Sequence, residues 1–153
     1  MATSQADWAT TKVNAKFWNS NNPGTPAVQF TFVTRYQTND SSDNGDIWVT
    51  PITASGQPPY GVIQEPAKHN DVCTVIVIGG TKVAISDTFP TGTNGLIGGH
   101  AVQCDNAGYA QNVVSGSGEY IVGVSDAYAP KSTSLLTPTI GSAVISCATP
   151  PIA

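Results

Sequence analysis

Carboxylates and histidines are the residues of this sequence best suited to acid–base or metal chemistry. Sugar hydrolysis needs two carboxyl groups about 5 to 9 Å apart, and the candidates for such a pair are Glu65, Asp87, Glu119 and Asp126. Nothing in their spacing along the chain brings two of them together. His69 and His100 fall in no metal-ligand spacing, and Ser115-Gly116-Ser117-Gly118 lacks the preceding strand and following helix of a nucleophile elbow. We therefore predict no catalytic residue and no enzymatic activity.

Metal and cofactor sites are equally poorly supported. Asp40, Ser42, Asn44 and Gly45 match the first positions of a calcium loop, but its twelfth position falls on Pro51, which has no carboxylate. The three cysteines lie far apart, without zinc spacing and inside apolar runs, so we expect buried free thiols in a reducing compartment: Cys73, Cys104 and Cys147. The glycine pairs Gly79-Gly80 and Gly98-Gly99 do not stand at the start of a helix, as the glycines of a phosphate-binding loop would. The sequence predicts no metal and no cofactor.

The composition favours a β-protein that binds neither nucleic acid nor membrane. Charged residues make up 10% of the chain, against about 25% in an average domain. The net charge is -4, and the six basic residues are scattered rather than clustered as phosphate binding requires. No apolar run reaches the roughly 18 residues of a membrane span, and the amino terminus does not resemble a secretion signal. We expect a protein that is made in a cytoplasm and has no direct nucleic-acid or membrane partner.

The stretch from Tyr60 to Ile85 has the strongest strand pattern. Its central run, Val72 to Ile78, is apolar at successive positions, which predicts a strand covered on both faces. Gly79-Gly80 then predicts a two-residue hairpin turn, with Ile78 facing Thr81.

Short strands separated by turn residues continue along the rest of the chain. The further predicted strands are Val28 to Tyr36, Ile47 to Val49, His100 to Cys104, Tyr109 to Val114, Tyr120 to Val124 and Ala143 to Cys147. This spacing predicts an all-β fold, a small barrel or sandwich with long loops rich in Gly, Pro, Thr and Asn. Residues 1–26 are predicted as an extended amino-terminal arm and residues 27–153 as one domain.

Aromatic residues in polar surroundings suggest binding. Trp8, Phe17 and Trp18 stand in the arm, which either folds back on its own domain or docks on a neighbour. Exposed rings could instead stack on sugars, which leaves a non-enzymatic carbohydrate-binding domain as the alternative. The rings available for this are Trp8, Trp18, Trp48, Tyr60, Tyr109 and Tyr128.

Five short elements follow one another in the region from Gly61 to Cys147: Gly61-Val62-Ile63-Gln64 with Pro66-Ala67, Val72 to Val77, Gly79-Gly80 with Lys82-Val83, Asp105 to Gly108, and Ile121-Val122-Gly123-Val124. In this order they resemble the tailed-phage head decoration proteins, also called capsid cement proteins. The sequence departs from the family pattern before Tyr60, in the loop from Asp87 to Gly99, and from Lys131 to Gly141.

The resemblance implies a structural virion protein without catalysis. Such a protein binds the outer surface of an icosahedral phage head as a homotrimer and cements neighbouring subunits of the major capsid protein, which would be its partner. Multivalent contact makes such binding long-lived even where each interface is modest. The predicted partner-binding residues lie in the arm and the first unmatched loop: Trp8, Phe17, Trp18, Phe89, Leu96 and Ile97.

Overall fold

A computed structural model describes residues 10–37, 45–90 and 92–153 of the chain. Every regular element in these ranges is a β-strand, which confirms the predicted all-β class. The strands are β1 Thr11–Phe17, β2 Phe32–Arg35, β3 Trp48–Pro51, β4 Pro59–Ile63, β5 Val72–Ala84, β6 Gly95–Leu96, β7 Ala101–Cys104, β8 Ala110–Asn112, β9 Ile121–Ser125, β10 Ala129–Pro130 and β11 Ile140–Ser146.

Five strands close into a barrel in the order β1-β3-β2-β4-β5, with β5 pairing back to β1. All neighbours are antiparallel except β1 and β3, which pair in parallel at Lys16 and Phe17. Closure pairs most of the strand edges that would otherwise be free to pair with other chains, although β3 meets β1 only at Lys16 and Phe17. The barrel interior is filled by fully buried side chains such as Phe17, Phe32 and Val75.

The long strand β5 continues beyond this barrel into a second sheet. Its later residues pair with β11, and the order then runs β11-β9-β7-β8. A parallel bridge from Ala110 of β8 to Ile85 brings the last strand back to the end of β5. The short strands β6 and β10 form a separate pair. A single hydrophobic core runs through both units.

The predicted hairpin at Gly79-Gly80 is wrong. Residues 72–84 form one continuous strand, and Ile78 pairs with Thr11 on β1 and Ser146 on β11 rather than with Thr81. Gly79 does have a positive φ, 117°, but it marks the point where the partner of β5 changes from β1 to β11. The prediction that both faces of β5 are covered is confirmed for residues 75–77, which are all buried.

Two other segments differ from expectation. The predicted strand from Val28 begins only at Phe32, because Phe30 has a φ of 66° and the Thr31 N–H and hydroxyl both donate to the Val28 carbonyl, closing a turn. In the arm, Thr11–Phe17 alternates outward polar and inward apolar residues and forms a barrel strand. The division into residues 1–26 and 27–153 stays a prediction.

Candidate functional site

The six predicted partner-binding residues are separated by the fold. Trp8 lies outside the described residues. Phe17 and Leu96 are fully buried in the core and have no surface to offer a partner in this conformation. Trp18 and Phe89 are half-buried, and Ile97 is exposed. Binding through these last three stays a prediction.

Trp18 belongs to a cluster of rings at the end of β1. Its ring stacks on Tyr36 at a centroid distance of 4.5 Å and meets Trp48 and His69 edge-on at 5.5 and 4.8 Å. The backbone N–H of Asn19 donates to Nδ1 of His69 at 3.0 Å, which ties the loop after β4 to the end of β1. Such packing holds the Trp18 ring against its own chain. Tyr36 and His69 could not be linked to it by sequence, because they come from distant segments.

A cleft of about 540 Å³ lies beside the second sheet. It is lined by three carboxylates, Asp87, Asp105 and Glu119, together with amide side chains and Phe89. Asp87 and Glu119 were both considered for an acidic pair, and the structure places them in one cleft. Glu65 and Asp126 do not line it.

Two of these carboxylates hold the backbone in place. Asp105 accepts hydrogen bonds from the Ser86 hydroxyl at 2.6 Å and from the N–H groups of Ala107 and Tyr109, each at 2.9 Å. Such side-chain acceptors define a tight turn.

Glu119 is buried and accepts hydrogen bonds from the Ser55 hydroxyl and the Gly56 N–H. These bonds join the loop between β3 and β4 to the second sheet. The hydrogen bonds of Asp105 and Glu119 give both carboxylates structural roles in the cleft wall.

Two of the six rings predicted as candidates for sugar stacking are not accessible. Trp48 and Tyr109 are only 9% and 6% exposed, so neither presents a face to a ligand. The Tyr109 hydroxyl donates to the Leu135 carbonyl at 3.2 Å. Burial, and then the charges of Asp105 and Asp87, raise the pKa of this phenol.

The cysteines are free and buried, as the sequence predicts. Burial raises the pKa of the Cys73 thiol to about 11 and that of Cys147 to about 12, and it raises the pKa of Cys104 well above the ordinary value. Thiols held in the protonated form are poor nucleophiles. The three cysteines therefore behave as small apolar core residues.

No cluster of metal-ligating side chains occurs in the described ranges. Within the same ranges, no helix has the length and apolar character needed to cross a membrane. The first three residues of the calcium-like pattern, Asp40, Ser42 and Asn44, lie outside the described residues.

Exposed apolar residues mark a surface that the sequence analysis missed. Val124 on β9 and Val144 on β11 are directly opposite each other, and both are about half exposed, at 47% and 48%. Leu136, in the loop before β11, is 91% exposed. Exposed apolar side chains that lie side by side, as those of Val124 and Val144 do, are typical of protein-binding faces. Sequence alone could not identify it, because a valine in a strand gives no sign of which face is covered.

Of the comparisons with known proteins, the one with solved structures finds a match. Neither a family model nor a curated protein matches this sequence. Among solved structures, the N base of the head fibre gp8.5 of bacteriophage phi29 matches with a TM-score of 0.56 and 14% sequence identity. The match covers 90% of this chain and 94% of that one. The two chains share a fold. At this identity the likeness concerns backbone architecture.

Proposed function

We propose that this protein is a non-enzymatic structural component of a phage head. The supporting observation is the fold shared with the N base of a phage head fibre along almost the whole of both chains. One fold can carry many different functions, so the shared fold supports this role by analogy. The sequence resemblance to head decoration proteins points independently to the same part of a virion.

The more specific proposal is a homotrimer on the outer surface of the head that cements subunits of the major capsid protein. The exposed apolar residues of β9, β11 and the preceding loop supply contact area of the kind such binding uses. Three linked copies would engage the capsid together, so that the second and third contacts form at high effective concentration. The low content of charged residues, 10%, suits contacts that tolerate changes in salt.

A head-attached base is the second candidate, because the structural neighbour is itself the base of a head fibre. A base would anchor a further component to the head without strengthening the shell. A cement protein would strengthen the shell itself. The two roles therefore predict different effects on the stability of the head.

The test uses heads of the virus that carries this sequence, prepared without the protein. Purified protein is added back, and binding is followed by co-sedimentation and electron microscopy of particles with and without it. Cementing predicts density on the outer surface and a higher temperature of head disruption. Binding without a change in that temperature would support the base, and no binding would refute both. Sedimentation velocity at micromolar concentration tests the trimer, which a strict monomer would contradict.

A further inference from the structure

Strand β1 has one paired edge and one edge that is largely open. The Phe17 N–H donates to the Asp71 carbonyl on the β5 side at 2.9 Å, whereas the Lys16 N–H donates to the Ile47 carbonyl on the opposite side at 2.8 Å. In an antiparallel ladder the direction of the backbone groups alternates from one residue to the next. Odd-numbered residues of β1 therefore bond to β5, and even-numbered residues point away from it.

Lys12 and Asn14, the even-numbered residues of β1 before Lys16, have no described strand beside them. β3 pairs with β1 only at Lys16 and Phe17, so the N–H and C=O groups of Lys12 and Asn14 face outward beyond the end of this pairing. Within residues 10–37, 45–90 and 92–153, no group hydrogen-bonds to these outward backbone atoms. Both side chains are exposed. Among the described residues, the barrel thus leaves a short unpaired seam along β1, next to its pairing with β3.

We propose that this seam is a strand-addition site for an extended segment of a partner protein that carries an acidic residue opposite Lys12. An unpaired strand edge is a template for a further strand, since main-chain hydrogen bonds supply the affinity and flanking side chains the selectivity. The proposal concerns how a partner is bound, and it holds whether or not that partner is a capsid protein.

Charge indicates the class of partner. Lys16 is paired with Asp46 at 2.9 Å, whereas Lys12 has no ion pair among the described residues. The open edge therefore carries an unbalanced positive charge, which an acidic segment would neutralise. A second copy of this chain fits less well, because edge-to-edge pairing would bring two Lys12 charges onto one short ladder, and like charges there oppose pairing.

Amide hydrogen exchange measured by NMR tests the site directly. In the free protein the amides of Lys12 and Asn14 should exchange fast, while those of Val13 and Ala15, which bond to β5, should exchange slowly. The probe is a synthetic peptide of about eight residues, a typical strand length, that alternates valine with glutamate. Its counterpart has lysine in place of glutamate. The glutamate peptide should slow exchange at Lys12 and Asn14 by at least about tenfold, as one added hydrogen bond allows.

Two variants separate backbone pairing from charge. Asn14→Pro removes an outward N–H that the fold does not use, so the barrel should persist and peptide protection should disappear. Lys12→Glu should reverse the preference between the two peptides. Lys131→Glu, which makes the same charge change at an exposed residue outside β1, is the matched control and should leave the preference unchanged.

Each result supports or overturns the proposal. Protection of Lys12 and Asn14 by the glutamate peptide alone, reversed in Lys12→Glu, supports it. Absence of protection with either peptide overturns it, as does equal protection by both. Protection that grows with protein concentration without peptide would identify a second copy as the occupant and also overturn it. Should Asn14→Pro fail to fold, the Lys12→Glu comparison still decides the outcome.

Discussion

Gly79→Ala should destabilise this protein more than any ordinary surface substitution. Gly79 lies where the two strands along one edge of β5 meet, with Thr11 and Ser146 both paired to Ile78. Its φ is 117°, a conformation that residues with a Cβ rarely adopt. A Cβ placed there would lie 2.7 Å from the Cα of Thr10. The substitution therefore combines backbone strain with a steric overlap against main chain.

The magnitude follows from these two costs. A non-glycine residue in a sparsely populated φ region costs on the order of 1–3 kcal/mol, and overpacking against atoms that cannot move away costs about 1–3 kcal/mol. Alanine also restricts the unfolded chain more than glycine does, which offsets about 0.4–1 kcal/mol of this destabilisation. The net loss in the free energy of unfolding should therefore be about 1–5.6 kcal/mol, with a centre near 3 kcal/mol. For a chain of this size that lowers the Tm by about 10 °C.

Three other glycines provide matched controls. Gly61→Ala tests overlap alone, since its Cβ would meet the Ile76 carbonyl oxygen at 2.5 Å without a positive φ. Gly99→Ala tests strain alone, because its φ is 78° and the space around it is open. Gly24 has neither feature, so its alanine variant should stay within about 0.5 kcal/mol of the parent.

The assay is urea unfolding followed by tryptophan fluorescence, with far-ultraviolet circular dichroism to check that each variant folds. Gly79→Ala should lose the most, Gly61→Ala and Gly99→Ala should lose less, and Gly24→Ala almost nothing. A loss below about 1 kcal/mol for Gly79→Ala, or a loss no larger than that of Gly99→Ala, would refute the reasoning from the strand junction.

Three further predictions concern single side chains. Asp105→Ala should lower the free energy of unfolding by about 2–3 kcal/mol, because three donors lose a charged acceptor; a change below about 1 kcal/mol in urea unfolding would contradict that role. Phe17→Ala should lower the free energy of unfolding by about 3–5 kcal/mol, because it removes a core side chain. Trp18→Ala should lower it by only about 1–2 kcal/mol, because it removes stacking contacts at the rim. Equal losses in the same assay would show that the two rings are not divided between core and surface. Burial raises the folded-state pKa of the Cys73 thiol to about 11, against an ordinary 9.0. The thiol of the unfolded chain therefore loses its proton at a lower pH than the thiol of the folded chain. The free energy of unfolding should be highest below pH 9 and should fall as the pH rises through 11. Cys73→Ala should flatten that slope, and identical slopes for parent and variant in urea titrations would disprove the assignment.

Strand existence was predictable from local pattern, and strand partners were not. Alternation and turn residues located β7, β9 and β11 to within a few positions, because each is bounded by residues that cannot continue a ladder. Gly79 was misread, since a positive φ serves a hairpin turn and a junction within a strand equally well. Only the position of Thr10, about seventy residues earlier, distinguishes the two.

The candidate sites were less predictable than the fold. Phe17 and Trp18 are adjacent in sequence and similar in type, yet one lies in the barrel interior and the other at its rim. Side-chain direction at the end of a strand depends on register, which local sequence leaves undetermined. The open edge at Lys12 and Asn14 was also beyond sequence reasoning, because it depends on how far β3 extends alongside β1.

The shared strand β5 also has a consequence for the order in which the chain can fold as it is made. β1 is synthesised before its antiparallel partner β5, and β11, which completes the same edge of β5, is synthesised later still. Neither unit can close without β5, and the second must also wait for β11. Folding of both units should therefore be governed by long-range pairing, which is slow. A ribosome-bound chain ending before residue 140 would display an unfinished edge on β5.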